Sequence, residues 1–217
     1  MPDLSFEVAG VRPASDMITP ALEFDLRIAN RFPEEAIQAV LLRCQIQIEV
    51  ARRKYTADEQ QQLRELFDEP SRWGDTLRPM TWLNTSLNLP AFRGTLKHPL
   101  LVPCTFDFKE ATAKYFHGIG EGEVPLTLLF SGTVFHDTGQ GVLQAAPISW
   151  NKEARFRMPV ATWKSLLDQF HPNAVSLQLR RDVFEELYRF KMRAGLATFD
   201  EAIVQILERA EGARPVS

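Results

Sequence analysis

Cysteine is scarce in this sequence: Cys44 and Cys104 are the two in 217 residues. That density excludes a disulfide scaffold. Each sits inside an apolar alternation, where a free cysteine behaves as a small buried hydrophobe. Long apolar runs are missing too. Leu100-Leu101-Val102 is closed off by prolines on both sides, whereas a membrane-spanning helix needs about 20 such residues. The opening Met-Pro-Asp-Leu-Ser-Phe-Glu-Val has no positively charged stretch ahead of an apolar one, so it does not read as a secretory signal, and a cytoplasmic location is the expectation. Nor is there a basic excess. Lys and Arg number 25 against 28 Asp and Glu, for a formal net charge of −3, which argues against a nucleic-acid binder.

The motifs of common chemistries are also absent. No Gly-x-x-x-x-Gly-Lys-Ser/Thr loop is present, and no Gly-x-Gly-x-x-Gly lies between a strand and a helix. Gly118-Ile-Gly-Glu-Gly122 precedes a strand pattern, so it reads as a turn and not as a phosphate cradle. His98, His117, His136 and His171 form no His-x₃₋₅-His pair and the cysteines no Cys-x₂-Cys pair. A metal site assembled from Cys104, His117 and His136 requires their strands to be neighbours; histidines at strand ends are the simpler reading. Ser131-Gly132 lacks the Gly-x-Ser-x-Gly elbow. Cys104 and His117, joined by Asp107, would be the set for an enzyme, but a thiol buried on an apolar strand face is a poor thiolate. Asp58, Glu59, Glu185 and Glu186 fall on the expected outer faces of helices. No catalytic residue, metal ligand or cofactor is therefore expected.

What remains is an ordinary folded composition, 45% hydrophobic and 24% charged. A chain of this length buries roughly 70% of its unfolded surface and needs no staple. Apolar residues fall on every second position in Leu4, Phe6, Val8 and in Leu22, Phe24, Leu26, Ile28, the period of a strand with one buried face. The longest alternation runs Val40, Leu42, Cys44, Ile46, Ile48, Val50 against Leu41, Arg43, Gln45, Gln47, Glu49, Ala51, which suits an antiparallel sheet wetted on one side. Further strands are expected in 101–108, 124–136 and 142–150, with Gly132, Gly139 and Gly141 at turns or bulges. Thr56 with Glu59 spells a capping box for a short helix through Leu63, Leu66 and Phe67. The stretch 107–116 also reads as helix.

The last third changes period. Pro159 at a first helical position, then Val160, Trp163, Leu166, Leu167 and Phe170, predicts a helix ended by Pro172. Val183 to Met192 predicts a second, ended by Gly195, and Thr198 with Glu201 caps a third. The expected fold is α+β and a single domain over 1–217. Residues 1–158 would be mainly β, an antiparallel sheet or sandwich with one or two short helices. Residues 159–211 would supply three helices packed on one face or end.

The candidate binding residues are Arg52, Arg53 and Tyr55, a basic and aromatic cluster at the end of the long strand, since arginine and aromatic side chains are frequent interface anchors. Trp73, Trp82, Trp150 and Trp163 lie near element boundaries. The C-terminal helices offer a face for a homo-oligomer.

Leu42-Arg-Cys-Gln-Ile-Gln-Ile-Glu49, Arg52-Arg-Lys-Tyr55, Pro103-Cys-Thr-Phe-Asp107, Gly122-Glu-Val-Pro-Leu126, Leu129-Phe-Ser-Gly-Thr-Val-Phe135 and Arg157-Met-Pro-Val-Ala-Thr-Trp163 resemble, as a set, an uncharacterised bacterial family catalogued as a domain of unknown function. Genes of that family are associated with clusters for uptake nickel–iron hydrogenases. The resemblance implies a non-enzymatic accessory or assembly protein that binds a hydrogenase subunit or a related protein partner. The alternative is a module that binds a small ligand or metal during cofactor assembly.

Thermal melts test the assignment of the two faces of the long strand. Cys44→Ser is expected to cost about 1–3 kcal/mol by burying an unpaired hydroxyl, while Arg53→Ala is expected to leave folding nearly unchanged.

Overall fold

The structure is a computed structural model that describes residues 2–15, 17–104, 111–137, 142–170 and 179–212. Two compact units divide it, residues 1–175 and 176–217.

The first unit is a pair of antiparallel sheets. The smaller has the order β1 (Leu4–Pro13), β2 (Ala21–Asn30), β5 (Thr95–Pro103). The larger has the order β4 (Met80–Leu89), β3 (Ile37–Ile48), β6 (Glu123–Asp137), and then β7 (Leu143–Pro147) and β8 (Glu153–Pro159), which both pair with β6. Every pairing is antiparallel. The expected alternations supply the core: Leu4, Phe6 and Val8 of β1, Leu22 to Ile28 of β2 and Val40 to Ile48 of β3 are buried at every second position. Rings join the two sheets. Phe6 of β1 stacks on Phe130 of β6 with centroids 4.2 Å apart, and Phe24 of β2 meets Trp82 of β4 and Phe156 of β8 edge-on. The sandwich form of the expectation is the one adopted.

β6 is the longest strand, at 15 residues, because it serves two partners along one edge. Residues 123–129 pair with β8 and 133–137 with β7. Between them the Phe130 amide donates to Lys152 O and the Ile148 amide to Gly132 O, both at 2.9 Å, which stitches the β7–β8 connection to the strand. Gly132 makes this passage at φ 143°, and a Cβ there would lie 2.0 Å from Leu41 O of β3. Only glycine meets both demands.

The helices of this unit are short. α1 (Ala57–Gln62) and α2 (Arg64–Phe67) carry the stretch after Thr56, α3 (Trp73–Thr76) follows, and α4 (Ala111–His117) precedes β6. Both halves of the Thr56–Glu59 capping box form. Of the helix expected over 107–116 the described part is α4, and Asp107 lies outside the described residues, as do Gly139, Gly141, His171 and Pro172. α5 (Val160–Phe170) buries Val160, Trp163 and Leu166 and packs against β1 and β8. Pro159 closes β8, paired with Glu123, and does not open the helix.

The second unit holds α6 (Arg181–Ala194) and α7 (Phe199–Gly212), packed on one another. Gly195 ends α6 in the left-handed conformation, as its position predicts, and Glu201 N donates to Thr198 Oγ1 at 3.2 Å to cap α7. Of the three C-terminal helices, α5 thus belongs to the first unit, and α6 and α7 make up the second.

Gly132→Ala is expected to cost about 3 kcal/mol or more, since it combines a disallowed φ with a backbone clash. Chemical denaturation of the variant would measure it.

Candidate functional site

Arg53, Glu59 and Tyr55 build the most organised polar cluster in the sandwich, and it faces inward. β3 ends in a 3-10 turn, Val50–Arg52, after which Arg53 is extended and Thr56 caps α1. That path aims the Arg53 guanidinium at Glu59, three residues into the helix. Nη1 donates to Glu59 Oε2 at 2.9 Å and Nη2 to Oε1 at 2.8 Å, a bidentate fork. The side chains are only 6% and 7% exposed. Glu59 also accepts from the Gly120 amide at 2.7 Å and the Thr56 amide at 3.0 Å, so both of its oxygens are doubly engaged. Arg53 donates further to the carbonyls of Glu121 and Glu123, at the entrance to β6.

These contacts decide the protonation of Glu59. Burial works against the charged form, but the Arg53 hydrogen bonds, the Gly120 and Thr56 amides and the Arg53 charge outweigh it, and the carboxyl is held at about 2. Tyr55 lies beneath the Arg53 guanidinium, 5.1 Å from its ring centroid. Its hydroxyl donates to Val50 O at 2.7 Å and lies 3.3 Å from the hydroxyl of Tyr115. Burial pushes both tyrosines above their ordinary value. Trp73 and Phe67 close the aromatic side of the cluster.

Two expectations are thereby corrected. Arg53 and Tyr55 are not a solvated strand end offered to a partner; the extended Arg53 backbone turns the guanidinium in, and Arg52 alone of the three stays exposed, 3.6 Å from Glu49. Glu59 is not on an outer helix face, because its capping role bends it back toward Arg53. Asp58, Glu185 and Glu186 are exposed as expected.

The sulfur and imidazole candidates do not converge. Burial pushes the thiols of Cys44 and Cys104 up to about 12, and the Cys104 thiol donates to Val102 O at 3.3 Å. Neither is a thiolate near neutral pH. Cys104 follows β5 of one sheet, His136 is buried on β6 in the other, and His117 is exposed on α4. Among the described residues no three His, Cys, Asp or Glu side chains are grouped to hold a metal. The glycine-rich turn contributes its Gly120 amide to Glu59, not to a phosphate.

The tryptophans divide. Trp73 and Trp163 are buried, with Phe116 stacked on Trp163 at 4.3 Å, Trp82 is half-buried, and Trp150 at the β7–β8 connection is 92% exposed. The clearest open surface is the outer face of the larger sheet. Leu41 and Arg43 stand side by side on its β3 strand, which lies between β4 and β6, and both are exposed. Arg43 sits across from Ser86 on one side and Ser131 on the other. Among the described residues it makes no ion pair, whereas Arg155 of β8 is held by Glu153 at 2.9 Å.

Comparison with known proteins places this geometry. The model of a family of unknown function, DUF6084, matches residues 1–215. A search of curated proteins returned no match. Among solved structures, the CARDB domain of a Pyrococcus furiosus protein aligns over 73% of this chain and 92% of its own, at 12% identity and a TM-score of 0.29. A likeness of that size carries no functional argument.

The Arg53–Glu59 pair sets two expectations. Arg53→Ala leaves a buried carboxylate uncompensated, so a loss of about 3–5 kcal/mol replaces the neutral outcome expected of a surface residue. Denaturant melts measure it. Because the folded pKa of Glu59 lies below its unfolded value, its contribution is complete above about pH 4.5 and disappears as pH falls toward 2. Stability measured against pH should therefore fall less steeply across that window in Glu59→Gln than in the wild type.

Proposed function

The chain belongs to the family of unknown function DUF6084, and from that premise we propose a non-enzymatic role, that of a cytoplasmic accessory or assembly protein which acts by binding a protein partner. The observation that carries the reading is the Leu41–Arg43 pair on the outer face of the larger sheet. Arginine is an enriched anchor type at interfaces, and here one with no ion pair among the described residues stands beside an exposed leucine whose apolar area a partner would cover. The occupied state of the reactive groups supports it from the other side. The thiols are held protonated by burial, and Glu59 and Arg53 are engaged in one another. A hydrogenase subunit is the partner that the sequence resemblance implies, and it is the first to test. The small-ligand module is the weaker reading, because the space between the sheets is filled by stacked and edge-on rings.

Affinity purification from cells that express a nickel–iron hydrogenase is expected to recover a hydrogenase component with the wild-type chain. Leu41→Glu and Arg43→Glu are expected to lower that recovery about tenfold with the melting temperature unchanged. Recovery of no hydrogenase component would overturn the assigned partner, and full recovery by both variants would overturn the assigned face.

A further inference from the structure

The α6–α7 unit presents more apolar surface than it covers. No residue of α6 is buried, and Val183, Phe184, Tyr188 and Met192 are 39–59% exposed. A groove of about 950 Å³ runs along the unit, lined by Leu187, Met192 and Ile206 with Glu186, Arg189 and Arg193 among them. A unit of about 40 residues cannot ordinarily sustain a core without a disulfide, a metal or association. Both cysteines lie elsewhere, at 44 and 104, and no group of metal donors is present among the described residues.

We infer that this groove is the contact between two copies of the chain, which pair their α6 helices antiparallel about a two-fold axis. The charge sequence of α6 is the reason. Its first half carries Asp182, Glu185 and Glu186 against a single Arg181, and its second half carries Arg189, Lys191 and Arg193 with no acid. Such an order complements the helix dipole, and it is also complementary to itself when reversed, as a two-fold contact requires. An axis between Arg189 and Phe190 sets Glu186 across from Arg193 of the second copy, because the two are about two turns apart and share one side of the helix, and it brings the two Phe190 side chains to the same level. Those two charges are the ones left over. Arg189 is 3.5 Å from Glu185 within the helix and Lys191 lies over the Phe199 ring, while Glu186 and Arg193 make no ion pair among the described residues. They cannot pair in their own helix, since seven residues separate them by about 10.5 Å. A helix of 14 residues is about 21 Å long, so two helices expose on the order of 400 Å² per copy, which suits a reversible dimer more than an obligate one.

Sedimentation velocity of the full chain over roughly 1–100 μM is expected to show a reversible monomer–dimer equilibrium. Glu186→Arg and Arg193→Glu should each weaken it about tenfold by placing like charges together, and the double variant should restore it. Both positions are exposed, and helical content by circular dichroism should be unchanged. Arg189→Cys, close to the axis, should form an interchain disulfide under mild oxidation, while Asp200→Cys at the start of α7, exposed and remote from the axis, should not. A chain that stays monomeric throughout, or a dimer indifferent to both single charge reversals, or equal cross-linking at 189 and 200, would overturn the inference.

Discussion

A single buried fork, Arg53 to Glu59, ties together the parts of the sandwich that the sheets themselves do not reach. Glu59 caps α1 through Thr56, fixes the glycine-rich turn through the Gly120 amide, and engages an arginine that in turn holds the carbonyls of Glu121 and Glu123. The end of β3, the start of α1 and the entrance to β6 are thus set by one pair of side chains. A buried ion pair is seldom a large net gain in stability, because desolvation offsets most of the attraction. What it supplies here is definition. With every acceptor site of the carboxylate used, a shift of any of the three segments leaves a buried charge unsatisfied, which is costly.

That explains which parts of the fold could be read from the residues and which could not. Alternation is a local signal, and β2, β3 and the first half of β1, Leu4 to Val8, follow from it because each has one buried face, whereas β6 opens on a run, Val124 to Leu128, that is buried on both faces. The two capping boxes are local as well, spanning three residues, and both form. β4 was not read, because in Met80–Leu89 the inward residues are mostly only half-buried and Thr, Asn and Ser fill the rest. β8 was missed although Ala154, Phe156 and Met158 alternate with Glu153, Arg155 and Arg157; the run is short and its Pro159 reads equally well as a helix entrance. The Arg53–Glu59 cluster needed contacts to residues more than 60 positions away, and no local pattern announces those. Its one available clue was the capping-box glutamate itself, since a side chain that bends back over the helix start is directed toward the residues before the cap.

Gly132 shows the same division between local and distant causes. The sequence marks it as a turn or bulge, and it is neither a chain reversal nor a strand end. It lets β6 pass within reach of the Leu41 carbonyl while its other edge changes from β8 to β7. Two short strands and their connection can then share one long strand, with the backbone groups between the two ladders satisfied by Lys152 and Ile148. A side chain at 132 would force β6 away from β3, and the passage would lose its basis.

The distribution of reactive groups bears on function through the same logic of occupancy. In the sandwich, these groups are engaged in holding structure: thiols are sealed in apolar faces, a carboxylate and a guanidinium satisfy one another, and the amide of a glycine turn is already bonded. A group so engaged must break its contacts before it can act on anything else, and burial raises the cost of doing so. The groups left free are of another kind. Leu41, Arg43, Glu186, Arg193 and the apolar stripe of α6 are exposed, and Glu186, Arg193 and Arg43 make no ion pair among the described residues. Free charges beside exposed apolar side chains are suited to meeting a complementary surface, where association removes apolar area from water and each charge selects its partner. Under the proposed binding role, recognition falls to these surfaces, while the Arg53–Glu59 fork and the buried strand faces specify the shape that presents them.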